Sequence, residues 1–188
     1  MQRLLKAPDL RTHRGYRNRI VLELLYDSAI RRSELSAVRI ADLDLQAGYL
    51  RVHGKGSKDR VVPVSARVCE MLQNYLLHVR PAFVPSPHAD DSGALILNRW
   101  GQPMSPDGIW AIVKRCVALA GLNAHISPHT FRHTCATHML KNGAPVRHLQ
   151  EMLGHESLES TQIYTHVTIN DLKAIHAQYH PGDTISER

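Results

Sequence analysis

Apolar positions fall at helical spacing along most of the chain. In residues 17–30 (RNRIVLELLYDSAI), Ile20, Leu24, Asp27 and Ile30 mark one face, with Val21, Leu22 and Leu25 beside it, which predicts a helix. Residues 31–45 place Leu35, Val38 and Leu43 at burying positions, and Ser33 is a candidate cap for a short helix. Residues 49–64 change period: two β-type runs flank Gly54-Lys55-Gly56-Ser57-Lys58-Asp59, the pattern of a hairpin. Helical spacing returns over 66–80, where Val68, Leu72, Tyr75 or Leu76, and Val79 form a stripe. The stretch 81–93 (PAFVPSPHADDSG) is rich in Pro, Asp and small residues and reads as an exposed connection. Helices are predicted over 106–120, 128–141, 145–153, 158–165 and 170–178, with Pro128 and Pro145 at first-turn positions and Gly143 and Gly154 as C-terminal stops. The fold class expected is α+β, mostly α, with one small antiparallel hairpin or sheet. One domain is expected over 1–188, with 168–188 as a C-terminal tail.

Composition narrows this only slightly. Of 188 residues, 43% are hydrophobic and 21% charged, which excludes a disordered chain. No apolar run reaches the roughly 18 residues of a membrane span, and the polar, basic start after Met1 lacks a signal-peptide pattern. Three scattered cysteines, Cys69, Cys116 and Cys135, form neither a disulfide framework nor a CxxC motif, so a reducing, cytoplasmic setting is expected. Charge is more telling. Residues 1–149 hold 21 basic and 11 acidic side chains, a net of +10, whereas residues 150–188 hold 2 and 6, a net of −4. A basic body suits a polyanionic partner such as nucleic acid, and it equally suits plain solubility.

Candidate chemistry lies in four places. On a helix over 128–141, His129 and Arg132 share a face and His133 lies one turn beyond His129. By itself this is an ordinary polar face. His129 and His133, with Cys135 or His138 near, also have metal-ligand spacing, but no HExxH is present and Arg132 would set a fixed positive charge beside the ion. In LGHESLESTQIYTH, His155 follows a helix stop and Tyr164 lies nine residues on. A lone Tyr there is usually core, and a phenol, with a pKa near 10, becomes a nucleophile only with cationic or basic help. Lys55, Lys58 and Arg60 cluster at the glycine-flanked turn, either as a solvated tip or as a lysine reaching a phosphate or a leaving oxygen. Arg31 and Arg32 stand between helical segments, followed by Glu34, as surface residues or with an arginine held by Glu34 and aimed inward.

Each of these is weak alone, yet together they have one coherent use. A phosphodiester under attack spreads negative charge over its equatorial oxygens. Two arginines can fork onto those oxygens, histidines can add hydrogen bonds, a nucleophile must attack phosphorus, and an acid must protonate the departing oxygen. Arg31, Arg132, His129, His155, Tyr164 and Lys55 supply those parts. The motifs hold no carboxylate cluster for Mg²⁺, which counts against a two-metal nuclease.

The order Arg, Lys, His-x-x-Arg, His, Tyr resembles the catalytic domain of the tyrosine recombinases, the phage integrase and Xer-type family. The resemblance rests on AIRRSELSAVRIADLDL, RVHGKGSKDRVVPV, ISPHTFRHTCATHMLKNG and VRHLQEMLGHESLESTQIYTHV, about residues 20–167. It implies that Arg31 is the first catalytic arginine, Lys55 the hairpin lysine and acid, His129 and Arg132 the paired His and Arg, His155 the later His, and Tyr164 the nucleophile. It also implies DNA strand cleavage and rejoining through a 3′-phosphotyrosine, with no metal, ATP or other cofactor. Glu34 looks like a residue that orients Arg31.

There are departures. The family usually reads Gly-Leu-Arg where Ala29-Ile30-Arg31 stands, and Arg32 occupies a commonly apolar position. Most members also carry an N-terminal DNA-clamping domain that this sequence does not include, so a fragment or a truncated gene is expected. Lys58, Arg60, Lys114, Arg115, Lys141 and Arg147 are candidates for phosphate contacts, which position without specifying sequence, or for plain surface residues. The tail, with Leu172, Ile175 and Tyr179 on one stripe, packs on its own domain or, as the resemblance implies, docks into a neighbouring subunit of a tetrameric synapse on duplex DNA.

Overall fold

The computed structural model describes residues 1–54, 59–85, 91–154 and 169–181. A short helix α1 (Gln2–Leu5) buries Leu4 and Leu5 and leads into α2 (His13–Asp27), whose N-cap Thr12 accepts a hydrogen bond from the Gly15 N–H. Helix α2 is the central element. Ile20, Val21, Leu22, Leu24, Leu25 and Tyr26 are all buried, so it is apolar around most of its circumference rather than along one stripe. Arg17, Arg19, Glu23 and Asp27 on this helix are buried too, and Glu23, fully enclosed, receives Arg19 Nε at 2.5 Å and the Arg67 guanidinium at 2.6 and 3.1 Å.

After α2 the chain turns at Ala29, whose φ of +51° is left-handed. Helix α3 (Arg32–Ala37) follows, capped by Arg31 rather than by Ser33, which lies inside the helix. The predicted hairpin is the larger part of a three-stranded antiparallel sheet in the order β1 (Leu43–Asp44), β2 (Tyr49–His53), β3 (Asp59–Pro63), with Val52 opposite Arg60 and Leu50 opposite Val62. Leu50, Val52 and Val62 turn one face into the core. The predicted helix 66–80 is α4 (Ala66–Asn74), extended by a wider turn over Tyr75–Val79 and ended by a tight turn over Arg80–Phe83 that contains Pro81.

Helix α5 (Pro106–Leu119) starts on Ser105, whose hydroxyl accepts from the Gly108 N–H, and α6 (Pro128–Lys141) starts on Ser127 with Pro128 at the first helical position. Helix α7 (Val146–Leu153) has Pro145 as its N-cap and stops at Gly154, whose φ of +62° gives the left-handed C-cap. Helix α8 (Ile169–Tyr179) packs on β3, α6 and α7 of its own chain. The helix expected over 158–165 lies outside the described residues. Cys69, Cys116 and Cys135 are buried free thiols. No helix among the described residues is long and apolar enough to cross a membrane.

Candidate active site

The loop from α2 to α3, the start of β3, the second turn of α6 and the last turn of α7 meet through one set of hydrogen bonds. Arg31 enters it as the N-cap of α3. The sequence Arg-Arg-Ser-Glu makes a capping box: the Arg31 N–H donates to Glu34 Oε2 at 2.7 Å, so Glu34 must turn back towards Arg31. There Glu34 Oε1 accepts from Arg31 Nη1 at 3.0 Å. Glu34 is buried while the Arg31 side chain remains 43% exposed, so one face of this guanidinium is fastened and the rest meets solvent.

The same carboxylate takes a second guanidinium. Arg60 on β3 forks onto Glu34, with Nη1 to Oε1 at 2.8 Å and Nη2 to Oε2 at 2.9 Å. Its Nε–H donates to the Met152 carbonyl at 3.1 Å. Burial works against ionising Glu34, but the hydrogen bonds from Arg60 and Arg31 outweigh it and hold this carboxyl below its usual range.

Arg132, in the second turn of α6, is half-buried. Its Nη1 donates to the Ala29 carbonyl at 2.7 Å and its Nη2 to the Leu153 carbonyl. Burial, and then the charges of Arg31 and Arg60, pull its pKa down to about 10, which leaves it protonated at neutral pH. Among the described residues, the three arginines and Glu34 therefore sum to a surplus of two positive charges at this cluster. His129, exposed on the first turn of α6, lies one turn before Arg132. Arg31, Arg132 and Glu34 are thus brought together, with His129 one turn before Arg132 on α6; Lys55, His155 and Tyr164 lie outside the described residues, at the two stretches that adjoin the cluster in sequence.

The residues expected to touch phosphates divide. Arg115 and Lys141 are exposed. Lys114 donates to the Ala124 carbonyl and sits 5.4 Å from the Trp110 ring centroid. Arg147 is half-buried on α7, and Lys58 lies outside the described residues. Arg60 differs from its expectation: only 15% of its side chain is exposed and its guanidinium is turned inward onto Glu34. A signal for this was available, since Arg60 has the same strand parity as Val62 and therefore the core-facing side. Sequence reasoning also missed the carbonyls of Ala29 and Leu153, which no side-chain motif can announce. His129, His133, Cys135 and His138 do not bring ligand atoms together; His138 Nδ1 instead shares a 2.7 Å hydrogen bond with the Tyr26 hydroxyl. Among the described residues the one group with ligand atoms that converge is Asp27, His176 and His180, between α2 and α8.

A family model, that of the phage integrases, matches residues 1–171. The chain belongs to the phage integrase family. Among relatives of this family, the tyrosine recombinase XerD of Staphylococcus epidermidis is 43% identical over 178 residues, 95% of this chain and 59% of the relative. The XerD of Staphylococcus haemolyticus is 41% identical over the same share of each. The chain therefore spans 59% of the length of these relatives. Of solved structures, that of XerA recombinase superimposes with a TM-score of 0.71 at 29% identity, over 95% of this chain and 62% of that one. XerH site-specific recombinase, bound to its difH substrate before cleavage, superimposes with a TM-score of 0.69 at 26% identity, over 92% and 50%. The mostly helical phage integrase fold with a small antiparallel sheet is the one expected from the sequence.

Proposed function

We propose that this chain is the catalytic part of a site-specific DNA recombinase, which cuts and rejoins one strand at a time without metal, ATP or other cofactor. The observation that carries the reading is the paired anchoring of Arg31 and Arg132: each guanidinium is fastened on its protein side, Arg31 by Glu34 and Arg132 by two carbonyls, in a cluster with a surplus of positive charge. Donors fixed in this way need little reorganisation when an equatorial phosphate oxygen gains charge, which is where transition-state stabilisation is largest. In this reading His129 and His155 hydrogen-bond the non-bridging oxygens. The Tyr164 oxygen attacks phosphorus, the bond to the 5′ oxygen breaks, and Lys55 protonates that oxygen. A 5′ hydroxyl then attacks the phosphotyrosine and restores the phosphodiester, so the bond energy is retained in the aryl ester.

Duplex DNA is the proposed partner, as the XerH complex with its substrate supports by likeness. Arg115, Lys141 and Arg147 are proposed phosphate contacts, together with Lys58 and Lys114. Self-association into a tetramer on DNA, involving the C-terminal tail, and action on DNA in the cytoplasm belong to the same proposal.

The test is a covalent trap. The chain is mixed, with chelator present, with nicked suicide duplexes of randomised sequence, then denatured and examined for a protein–DNA adduct. The expected result is an adduct from the wild-type chain and none from Tyr164→Phe. An adduct that persists in Tyr164→Phe sinks the assignment of the nucleophile, and cleavage that leaves no adduct and needs the chelator omitted points to a metal nuclease.

A further inference from the structure

The polar contacts of the arginine cluster form a closed circuit. Arg31 bonds Glu34; Glu34 bonds Arg60; Arg60 Nε bonds the Met152 carbonyl; Arg132 bonds the next carbonyl, that of Leu153; and Arg132 also bonds Ala29, two residues before Arg31. The carbonyls of Met152 and Leu153 belong to the last turn of α7, where no further helical N–H is available to them and where a cation is favoured. Two arginines from different elements therefore hold neighbouring orphan carbonyls. Among the described residues, Arg60 is the side chain that bonds both Glu34 and α7. If it were removed, Arg31 would stay on Glu34 and Arg132 would stay on α7, with nothing polar joining the two halves on that side.

Arg60 is suited to this by chemistry and place. A guanidinium offers a planar fork for the carboxylate and a third N–H pointing elsewhere, which a lysine ammonium cannot match in direction. Its position on β3, opposite the buried Val52, keeps it at a fixed height above the core. Gly154 leaves room for it: a Cβ added there would stand 3.0 Å from Arg60 Cδ and 3.2 Å from Nε.

We propose that Arg60 is a positioning residue that sets the separation of Arg31 and Arg132, and that it makes no phosphate contact itself. This rests on the recombinase reading for its catalytic consequence, though the circuit can be tested without any reaction. The variants are Arg60→Lys, Arg60→Met, Glu34→Gln and the double variant Arg60→Met/Glu34→Gln. DNA affinity is measured across a salt series, and single-turnover adduct formation is measured on a suicide duplex at saturating DNA.

Arg60→Met and Arg60→Lys are expected to bind DNA within about threefold of wild type with an unchanged salt slope, while forming adduct about 100-fold more slowly, the size associated with a misplacement of roughly 1 Å. Because Arg60→Met and Glu34→Gln break the same link, the double variant should be no slower than the slower single variant. A phosphate contact behaves otherwise: Arg60→Met would weaken binding, lower the salt slope by about one, and cleave at the wild-type rate once DNA saturates. That outcome, or recovery of the full rate in Arg60→Lys, overturns the proposal.

Urea unfolding of the same four variants separates the circuit from the reaction. Non-additive losses at 34 and 60 support the circuit even if wild type forms no adduct, in which case the recombinase reading is what fails. Additive losses overturn the circuit whatever the adduct assay gives.

Discussion

Two polar clusters hang from the C-terminal end of α2, and they are built on opposite principles. At the arginine cluster, the positive charges are guanidinium groups, which stay protonated at neutral pH. The Glu34 carboxylate is surrounded by the guanidinium groups of Arg31 and Arg60, and the surplus charge faces solvent. On the other side, Asp27 meets His176 and His180 from the C-terminal helix, and all three are buried. Asp27 Oδ2 accepts from the Ser65 N–H at 2.8 Å, while Oδ1 has no hydrogen bond and lies 3.6 Å from His180 Nδ1. His176 bonds the Asp27 carbonyl at 2.8 Å, and the two imidazoles stack with centroids 4.5 Å apart. Burial, opposed by the nearby Asp27, pushes the His180 pKa down to about 4, so this ring is neutral at pH 7. The first cluster uses arginine because charge must survive partial burial. The second uses histidine, which can shed its charge and enter the dry seam between α2 and α8.

Removing an arginine from the open cluster is the hardest way to break this contrast. Arg132→Ala should lower single-turnover strand cleavage by about 100- to 1,000-fold, as for loss of one preorganised donor. Its urea midpoint should stay much nearer wild type than its rate does.

The next largest effect is acid. His180 prefers its neutral form in the fold, so its contribution is complete above pH 6.5 and is lost as pH falls towards 4. The unfolded chain binds the extra proton in that window, and the loss should total about 3 kcal/mol. Urea titrations between pH 7 and 4 read this directly, and His180→Phe should flatten the slope.

The two carboxylates sharpen the comparison further. Glu34→Gln should cost about 2–3 kcal/mol because two guanidinium groups lose their counter-charge. Asp27→Asn should cost less than about 1 kcal/mol, since it keeps the acceptor for Ser65 and adds a donor beside a neutral imidazole. The reverse order in urea unfolding would mean that the histidine cluster carries the charge.

The smallest change is Ala29→Gly. Ala29 sits at a φ of +51°, where a Cβ is crowded, and its carbonyl holds Arg132. Relief of that crowding is offset by the greater freedom of glycine in the unfolded chain and by the loss of a buried methyl, so stability should stay within about 1 kcal/mol of wild type, no more than a few degrees in thermal midpoint for a domain of this size.

What could be read in the sequence follows the range of the forces involved. Helix α6 is legible over 128–141 because Pro128 marks its first turn and Gly143 its stop, and both act locally. Helix α7 and the β2–β3 pairing were legible for the same reason, through Gly154 and the change of period. The small strand β1 was not, because two residues carry no periodicity. Arg31, His129, Arg132 and Glu34 stood out as chemically distinctive types, and the fold brings Arg31, Arg132 and Glu34 into one cluster with His129 one turn from Arg132. The inward turn of Arg60 was missed because a basic residue beside a glycine-rich turn suggests solvent, whereas its partner Glu34 lies 26 residues away in the chain. Long-range pairing of this kind is decided by packing, and the parity of Arg60 with Val62 was its one local trace.

Gly154 shows how narrowly drift is confined at this site. Any other residue there would have to take up a left-handed backbone at φ +62° and also push aside the Arg60 side chain. Asparagine meets the first demand at many helix ends, but the second applies to every residue with a Cβ. Changing this glycine therefore asks the Arg60 side chain to give by a few tenths of an ångström, and its fork onto Glu34 with it. Two positions 94 residues apart in the chain thus bear on one set of hydrogen bonds.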